Sequence, residues 1–408
     1  MDRKFDIILF GATGFTGHQA SLYFAEHVPL SQTRWALAGR NLEKLEQRKS
    51  ELVALYPELS ALELVVADAH DLPSLREMCT QTRVVLTTAG PFAMYGENLV
   101  RICIESKCDY VDITGETPWV RHLIDTYHAR AVRQGVRIVN FCGVDSVPSD
   151  MMTLYLAREV QEHLDEDLVD LKGYFQMRGG FNGGTLASMI HMAETGRLAE
   201  VGQPFLLNPG EERLKKNPKD PRGISWDKDW WMWTSPFLMA PINTRVVRRS
   251  EVLWRHEDDP YGPNFRYQEY AASNEIIPTK ALTISGVQLM VSELLRIPAV
   301  VKGAKEQLPQ PGEGPSEESM KKGSLSVWFK GLTASGQKIK GHFLSDGDPS
   351  NRSTVRMLSE AALTLIHNRE ELPEEFEGGI LTPATGLGLG YMDRLKATGI
   401  RVGWEVTS

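Results

Sequence analysis

FDIILFGATGFTG, residues 5–17, is the stretch on which the fold turns. Its first six residues have the apolar content and length of a buried strand. The glycines that follow are spaced as a turn leading into a helix, and each has its own task. Gly11 permits the tight turn, Gly14 leaves the backbone open to a pyrophosphate, and Gly17 lets the helix pack closely on the sheet. A helix beginning here presents unpaired N–H groups and the positive end of its dipole to an anion. Gly11, Thr13, Gly14, Phe15, Thr16 and Gly17 are therefore candidate cofactor-binding residues. Such a glycine run is weak by itself; its place at the end of a first strand gives it weight.

Working outward, residues 34–38 (RWALA), 62–67 (LELVVA), 83–91 (RVVLTTAGP), 109–114 (DYVDIT) and 136–143 (VRIVNFCG) read as further strands. Helical runs separate them near 42–55, 71–80, 95–107 and 117–134. Strand and helix in alternation predict an α/β domain over residues 1–147, a doubly wound parallel sheet of Rossmann type. In such a sheet the ligand lies outside the carboxyl ends of the strands. The second strand ends at Arg40 and Asn41, where NAD-binding chains place an acid for the ribose 2′-hydroxyl. A guanidinium there pairs instead with a 2′-phosphate, so the expected cofactor is NADP(H). Asp68, ending the third strand, is placed to bond the adenine amino group or to cap a helix. Ala89, Gly90 and Pro91 end the fourth strand and are expected to line the cofactor and turn toward the nicotinamide. Tyr95 is a packing aromatic or a proton donor. Asp145 and Ser146, after the sixth strand, are candidates to contact substrate or orient a catalytic water. Standing before Pro148, they also read as a helix cap. Cys142 has no neighbouring His in sequence and reads as a small buried residue; His18 reads as packing or surface.

Beyond Val147 the alternation gives way. Helices are expected at 145–164, 183–196, 281–301 and 351–367, and strands at 168–179, 245–254 (RVVRRSEVLW) and 265–273. A hairpin spans 324–344, turning at Ala334–Gly336. The polar stretches 207–229 and 302–323 read as long mobile loops. Residues 148–347 then form an α+β substrate domain, and 348–408 a C-terminal helical segment that packs back on the first domain. Trp226, Trp230, Trp231 and Trp233 are four of the nine tryptophans and suit an apolar ligand wall, an interfacial anchor or a packed core. Arg245, Arg248 and Arg249 could bind an anionic head group. On a strand, however, Arg245 and Arg249 share one face and Arg248 takes the other, so the three do not converge.

Lys and Arg number 45 against 53 Asp and Glu, a net charge of −8. An acidic chain with no basic tail is a poor match for nucleic acid. Four cysteines without a CxxC pair or zinc spacing predict reduced thiols, a cytoplasmic setting and no metal site. FDIILF is too short for a membrane span or leader, and neither 230–242 nor 281–301 spans a bilayer, although either could lie against a lipid surface. The acidic surface suits a homodimer.

Several strings line up together: GATGFTG, LAGR (37–40), AGPFAMYG (89–96), YVDITGE (110–116), CGVDSVPSD (142–150), GGTLAS (183–188), APINTRVVRRS (240–250) and LTPATGLG (381–388). In this order, over nearly the whole chain, they resemble the saccharopine dehydrogenase-like oxidoreductase family. The closer likeness is to its trans-acting enoyl reductase branch and related eukaryotic proteins. The resemblance implies an NADP-dependent oxidoreductase that reduces a carbon–carbon double bond, or a carbonyl, in a lipid or polyketide-like substrate such as a glycolipid precursor. Hydride would go to the β carbon, and the α carbon would take a proton from Tyr95 or water. Two other readings stay open. A saccharopine-like dehydrogenase would need several basic side chains converging on a tricarboxylate, and a lipid-surface protein would bind NADP without turnover.

Overall fold

In a computed structural model of the chain, residues 3–179, 183–211, 219–221, 223–228, 231–273 and 314–407 are described, with the single positions 279, 282 and 286. The first half alternates as its hydrophobic pattern predicts: β1 (Phe5–Phe10), α1 (Phe15–His27), β2 (Trp35–Gly39), α2 (Leu42–Leu55), β3 (Glu63–Val66), α3 (Leu72–Gln81), β4 (Thr82–Thr87), α4 (Phe92–Ser106), β5 (Asp109–Val111), α5 (Thr117–Gln134) and β6 (Arg137–Val139). Every residue of β1 and β2 is buried, because parallel neighbours and helices cover both faces. Short polar caps set the helix starts. Asn41 accepts the Lys44 N–H at 2.9 Å to open α2, and Asp71 accepts the Ser74 N–H at 3.2 Å to open α3.

The second half contributes α6 (Val147–Leu164), β7 (Leu168–Arg178), α7 (Gly183–Glu194), α8 (Leu198–Val201), β8 (Ser225–Asp227), β9 (Met232–Pro236), α9 (Ala240–His256), β10 (Arg266–Ser273), α10 (Glu317–Lys321), β11 (Ser324–Thr333), β12 (Lys338–Asp346), α11 (Thr354–His367), β13 (Gly379–Leu381), α12 (Pro383–Ala397) and β14 (Arg401–Thr407). Two seven-stranded sheets result. One is wholly parallel, in the order β13-β6-β5-β4-β1-β2-β3, and the order in which strands are added switches sides between β1 and β4. The other is mixed, in the order β14-β12-β11-β7-β10-β9-β8. Burial alternates strictly along β11, so one face of the mixed sheet is covered. Leu171, Phe175, Val327, Phe329, Ile339 and Phe343 on that face share a core with Met152 and Leu156 of α6. Gly341 makes the close approach possible, since a Cβ there would lie 3.1 Å from the Leu156 methyls.

Three expectations change. Residues 245–254 form part of α9, a helix, and not a strand. Val246, Val247 and Val252 give the stretch a strand-like look, but Pro241 opens a helix and tertiary burial on nearly every side then overrides β propensity. The C-terminal segment is not only helical. β13 adds the seventh strand to the parallel sheet beside β6, and β14 pairs antiparallel with β12 at the edge of the mixed sheet. Within the expected loops, residues 225–227 are a strand and 317–321 a helix. The expected helix at 281–301 lies outside the described residues apart from positions 282 and 286. Among the described residues no helix is long and apolar enough to cross a membrane.

Candidate cofactor and active site

The turn between β1 and α1 sits at the switch point of the parallel sheet. Gly11 has φ +89°, and its N–H donates to Ala38 O of β2 at 3.0 Å, which folds the turn back across the sheet edge. A Cβ on Gly17 would stand 2.1 Å from Gly11 O, so only glycine lets α1 approach β1 this closely. A Cβ on Gly14 would meet only Gly11 O, at 3.5 Å. No neighbour among the described residues therefore requires Gly14, which is what a position kept clear for a ligand looks like. Gly14 is also the N-cap of α1, no side chain caps that end, and the first turn holds no acid. The N–H groups there are open to an anion. Thr13 points along the end of β2, its hydroxyl 3.8 Å from where a Gly39 Cβ would be. Phe15 and Thr16 are half-buried, with the Gly314 backbone against the Phe15 ring.

Arg40 stands exposed at the carboxyl end of β2, and no carboxylate holds it among the described residues. Asn41 spends its side-chain oxygen on the α2 cap. Asp68 does not cap α3. Half-buried, it accepts the His70 N–H at 2.9 Å in a tight turn. Beyond β4, the Gly90–Pro91 peptide is cis, and Ala89 N–H donates to Thr87 Oγ1 at 3.2 Å. Tyr95 packs its ring 5.4 Å from His70, on the β3–α3 side of the crevice.

Asp145 and Ser146 occupy the other side. Neither caps α6: Ser146 is the N-cap residue, but its hydroxyl donates to Asn243 Oδ1 at 3.2 Å. The Asp145 carboxyl comes within 4.0 Å of where a Cβ on Gly115 would stand, beside Ile242. It makes no hydrogen bond or ion pair among the described residues, and burial alone raises its pKa to about 6. The structure thus places Asp145 with Ser146 beside α9, and Tyr95 with Asp68 and His70 across the crevice. Cys142 is fully buried, and His18 is half-buried with Nδ1 unpartnered.

Sequence reading missed three carboxylates here. Glu116 is buried; its two oxygens accept Phe92 N–H at 2.7 Å and Ala93 N–H at 3.0 Å, closing the N-terminus of α4. Ser188 of α7 donates to the same carboxylate at 2.8 Å, so the second half of the chain grips the first there. Asp112 accepts from Tyr110 Oη, Asn140 Nδ2 and the Thr114 and Phe141 N–H groups, which fixes the ends of β5 and β6. Burial outweighs those bonds and raises its pKa to about 6. Glu269 on β10 accepts from Ser149, from Tyr267 at 2.8 Å and from Asn243 at 2.9 Å, and burial raises its pKa to about 8. The string YVDITGE held the only sequence signal, for Asp112 and Glu116; Glu269 had none.

Arg245 and Arg248 are both taken up by protein groups. Arg245 is wholly buried against Asp220, at 2.7 Å to each oxygen, and Arg248 donates to Pro204 O at 2.9 Å. The tryptophans divide. Trp226 and Trp233 pair across β8 and β9, half-buried, with rings 5.3 Å apart, while Phe175 and Phe237 stack at 4.3 Å. Trp231 is 79% exposed, and Trp230 lies outside the described residues. Among the described residues no group of His, Cys, Asp and Glu is arranged to hold a metal.

Residues 7–139 match the family model described as the saccharopine dehydrogenase NADP-binding domain. Over its full length the chain is similar to trans-acting enoyl reductases of mycobacteria. It is 34% identical to that of Mycobacterium leprae over 423 residues, covering 98% of both chains. It is 33% identical to that of Mycobacterium ulcerans over 424 residues, covering 98% of this chain and 97% of the relative. In fold it resembles the saccharopine dehydrogenase (L-Glu forming) of Saccharomyces cerevisiae, with TM-score 0.57, 12% identity, and coverage of 99% of this chain and 100% of the other.

Proposed function

The chain belongs to the saccharopine dehydrogenase-like oxidoreductases, alongside the trans-acting enoyl reductases, and from that premise we propose that it reduces a carbon–carbon double bond of a lipid or polyketide-like acyl substrate with NADPH. It is an NADP-binding oxidoreductase. The residues present fit that cofactor. The uncapped start of α1 and the clear space over Gly14 suit the pyrophosphate, and Arg40 suits the 2′-phosphate. Asp68 and Tyr95 border the adenine side, and Ala89, Gly90 and Pro91 lead toward the nicotinamide. Bound there, NADPH supplies the hydride.

One observation carries the choice of substrate. Trp226 and Trp233, half-buried with rings 5.3 Å apart, give the mixed sheet an aromatic surface, while Arg245 and Arg248 are turned onto Asp220 and Pro204 O. An apolar chain can lie on such a wall; a tricarboxylate finds no converging cations there. Asp145 holds the proton that the α carbon takes. Its carboxyl is held by no other group, and a substrate that expels water drives it further toward its neutral form. The Ser146–Asn243–Glu269 chain keeps the Asp145 loop in place. A second reading, contact with a lipid surface, is favoured by the 79% exposure of Trp231.

The test is a fluorescence titration of wild type and Arg40→Ala with NADPH and NADH, followed by NADPH oxidation with trans-2-enoyl thioesters of increasing chain length. Loss of a 2′-phosphate ion pair should weaken NADPH binding roughly tenfold to a hundredfold, leave NADH unchanged, and turnover should rise with chain length. If neither nucleotide binds wild type, the cofactor assignment fails. If NADPH binds and no enoyl thioester is reduced, the substrate assignment fails.

A further inference from the structure

Arg249 is the arginine of α9 that the crevice chemistry leaves unexplained. It is 7% exposed, donates to no group among the described residues, and its buried Nε has no acceptor. Its charged neighbours are Arg121 and Asp125 of α5. Arg121 already holds Asp125 through Nε at 2.8 Å and donates Nη1 to Leu206 O at 2.8 Å. The carboxylate whose field reaches Arg249 is thus already bound by the other guanidinium. His128, one turn further along α5, does not offset the charge. Its Nδ1 accepts the Ile380 N–H at 3.0 Å, and burial together with Arg249 holds its pKa down near 4.

The third wall is the segment 203–211, which runs down α9: Gln203 O accepts from Arg245, Pro204 O from Arg248, and Glu211 pairs with Arg255 and His256. Between these contacts lies Asn208, 1% exposed, with both amide atoms unpartnered. A buried guanidinium whose Nε has no acceptor and an unpaired buried amide are each costly, and both lie along α9 and the segment that runs beside it. An oxyanion would answer both. It accepts from Arg249, from the free donors of Arg121 and from the Asn208 amide. A protonated phosphate oxygen can also donate to the Asn208 carbonyl, which a carboxylate cannot do. The place is separate from the cofactor site, because Arg249 lies roughly 10 Å along the helix axis from Ile242 at the Asp145 side.

We propose that Arg249, Arg121 and Asn208 form a second ligand site, for a small oxyanion of the phosphate class, between α5 of the parallel-sheet layer and α9 of the second layer. Occupancy would tie those two layers together. The test is thermal unfolding with NADPH at saturation, so that the cofactor site is filled, in sodium phosphate, sulfate or acetate against sodium chloride of equal ionic strength. Wild type should gain a few degrees in Tm with phosphate, about what millimolar affinity gives at tens of millimolar ligand. Arg249→Met should gain nothing, and in chloride it should be at least as stable as wild type, because the unpaired charge is gone. Asn208→Leu, which removes the unpaired amide without touching a charge, should respond less than wild type. A response to acetate alone would assign a carboxylate as the occupant of the same site. No response of wild type to any oxyanion, or an equal response of Arg249→Met, overturns the proposal. If Arg249→Met does not fold, calorimetric titration of wild type and Asn208→Leu with phosphate decides: heat in wild type that is reduced in the variant supports the site, and no heat overturns it.

Discussion

One methyl group added at Gly14, and separately at Gly17, should divide cofactor binding from folding. At Gly17 the new carbon would stand 2.1 Å from Gly11 O, 2.8 Å from Gly11 C and 2.9 Å from Ala12 Cα. All three are backbone atoms of the turn, so no side chain can rotate away, and β1 and α1 must separate. Overpacking that only the backbone can relieve costs on the order of 3 kcal/mol or more. At Gly14 the nearest atom is Gly11 O at 3.5 Å, and the backbone, at φ −79° and ψ 170°, is one that alanine adopts freely. Gly14→Ala should therefore change stability by less than about 1 kcal/mol. Its methyl would still project where the pyrophosphate must reach the open N–H groups of α1. Losing one charge-assisted hydrogen bond of about 1.5–3 kcal/mol weakens binding roughly tenfold to a hundredfold. Thermal unfolding without nucleotide measures the first effect and NADPH fluorescence titration the second. If Gly14→Ala binds NADPH as tightly as wild type, or Gly17→Ala unfolds at the wild-type temperature, the reading of this turn is wrong.

Asp145 ionises near pH 6 in the fold, so its donor form declines as pH rises through that value and the reduction rate should decline with it. Asp145→Asn should lose that limb of the pH profile and about a hundredfold in rate with trans-2-enoyl thioesters, at unchanged NADPH affinity; an unaltered profile would take Asp145 out of the chemistry. Glu269 is raised from 4.5 to about 8 and Asp150 from 3.8 to about 7, so the native state holds protons that the unfolded chain releases. Their contribution to stability is fully present below about pH 4 and is lost as pH rises through 7 to 8. Urea unfolding of Glu269→Gln across that range should show a shallower loss than wild type, and parallel curves would contradict this. Asp220→Ala would strand Arg245, whose side chain is 0% exposed, and should cost about 3 kcal/mol; Asp220→Asn, which keeps two hydrogen-bonding atoms in place, should cost clearly less, and equal losses would show that the charge is not what matters.

The first half of the fold was legible because its signals are local. A glycine turn, an N-cap and a run of strand residues each act within a few positions, and the α1 and α5 boundaries follow directly from them. α9 was misread because a helix buried on nearly every side has no polar stripe to reveal its period, and its valines favour the wrong element. The carboxylates of the site were hidden for another reason. Glu116 finds its partners at Phe92 and Ser188, and Glu269 finds its partners at Ser149 and Asn243. Those contacts depend on how the two sheets meet, and no spacing in the chain records it. The same holds for Asp145 and Ser146, where the local rule names a cap and a tertiary partner, Asn243, draws the hydroxyl away.

Glu116 also bears on which of the first four helix ends can seat a pyrophosphate. α1, α2, α3 and α4 all begin at the carboxyl edge of the parallel sheet, and each would offer unpaired N–H groups to an anion. Asn41 closes α2, Asp71 closes α3, and the buried carboxylate of Glu116 takes two N–H groups at the start of α4. Of these four only α1 is left without a side chain over its end, and only there does the backbone lack a Cβ at the N-cap. A carboxylate placed on α4 also repels a second anion, which in the proposed reading steers the nucleotide to α1, with Arg40 one strand away for its 2′-phosphate. Ser188 binds the same carboxylate from the second half of the chain. Docking of that half thus holds Glu116 against α4 and keeps the α4 end closed to an anion.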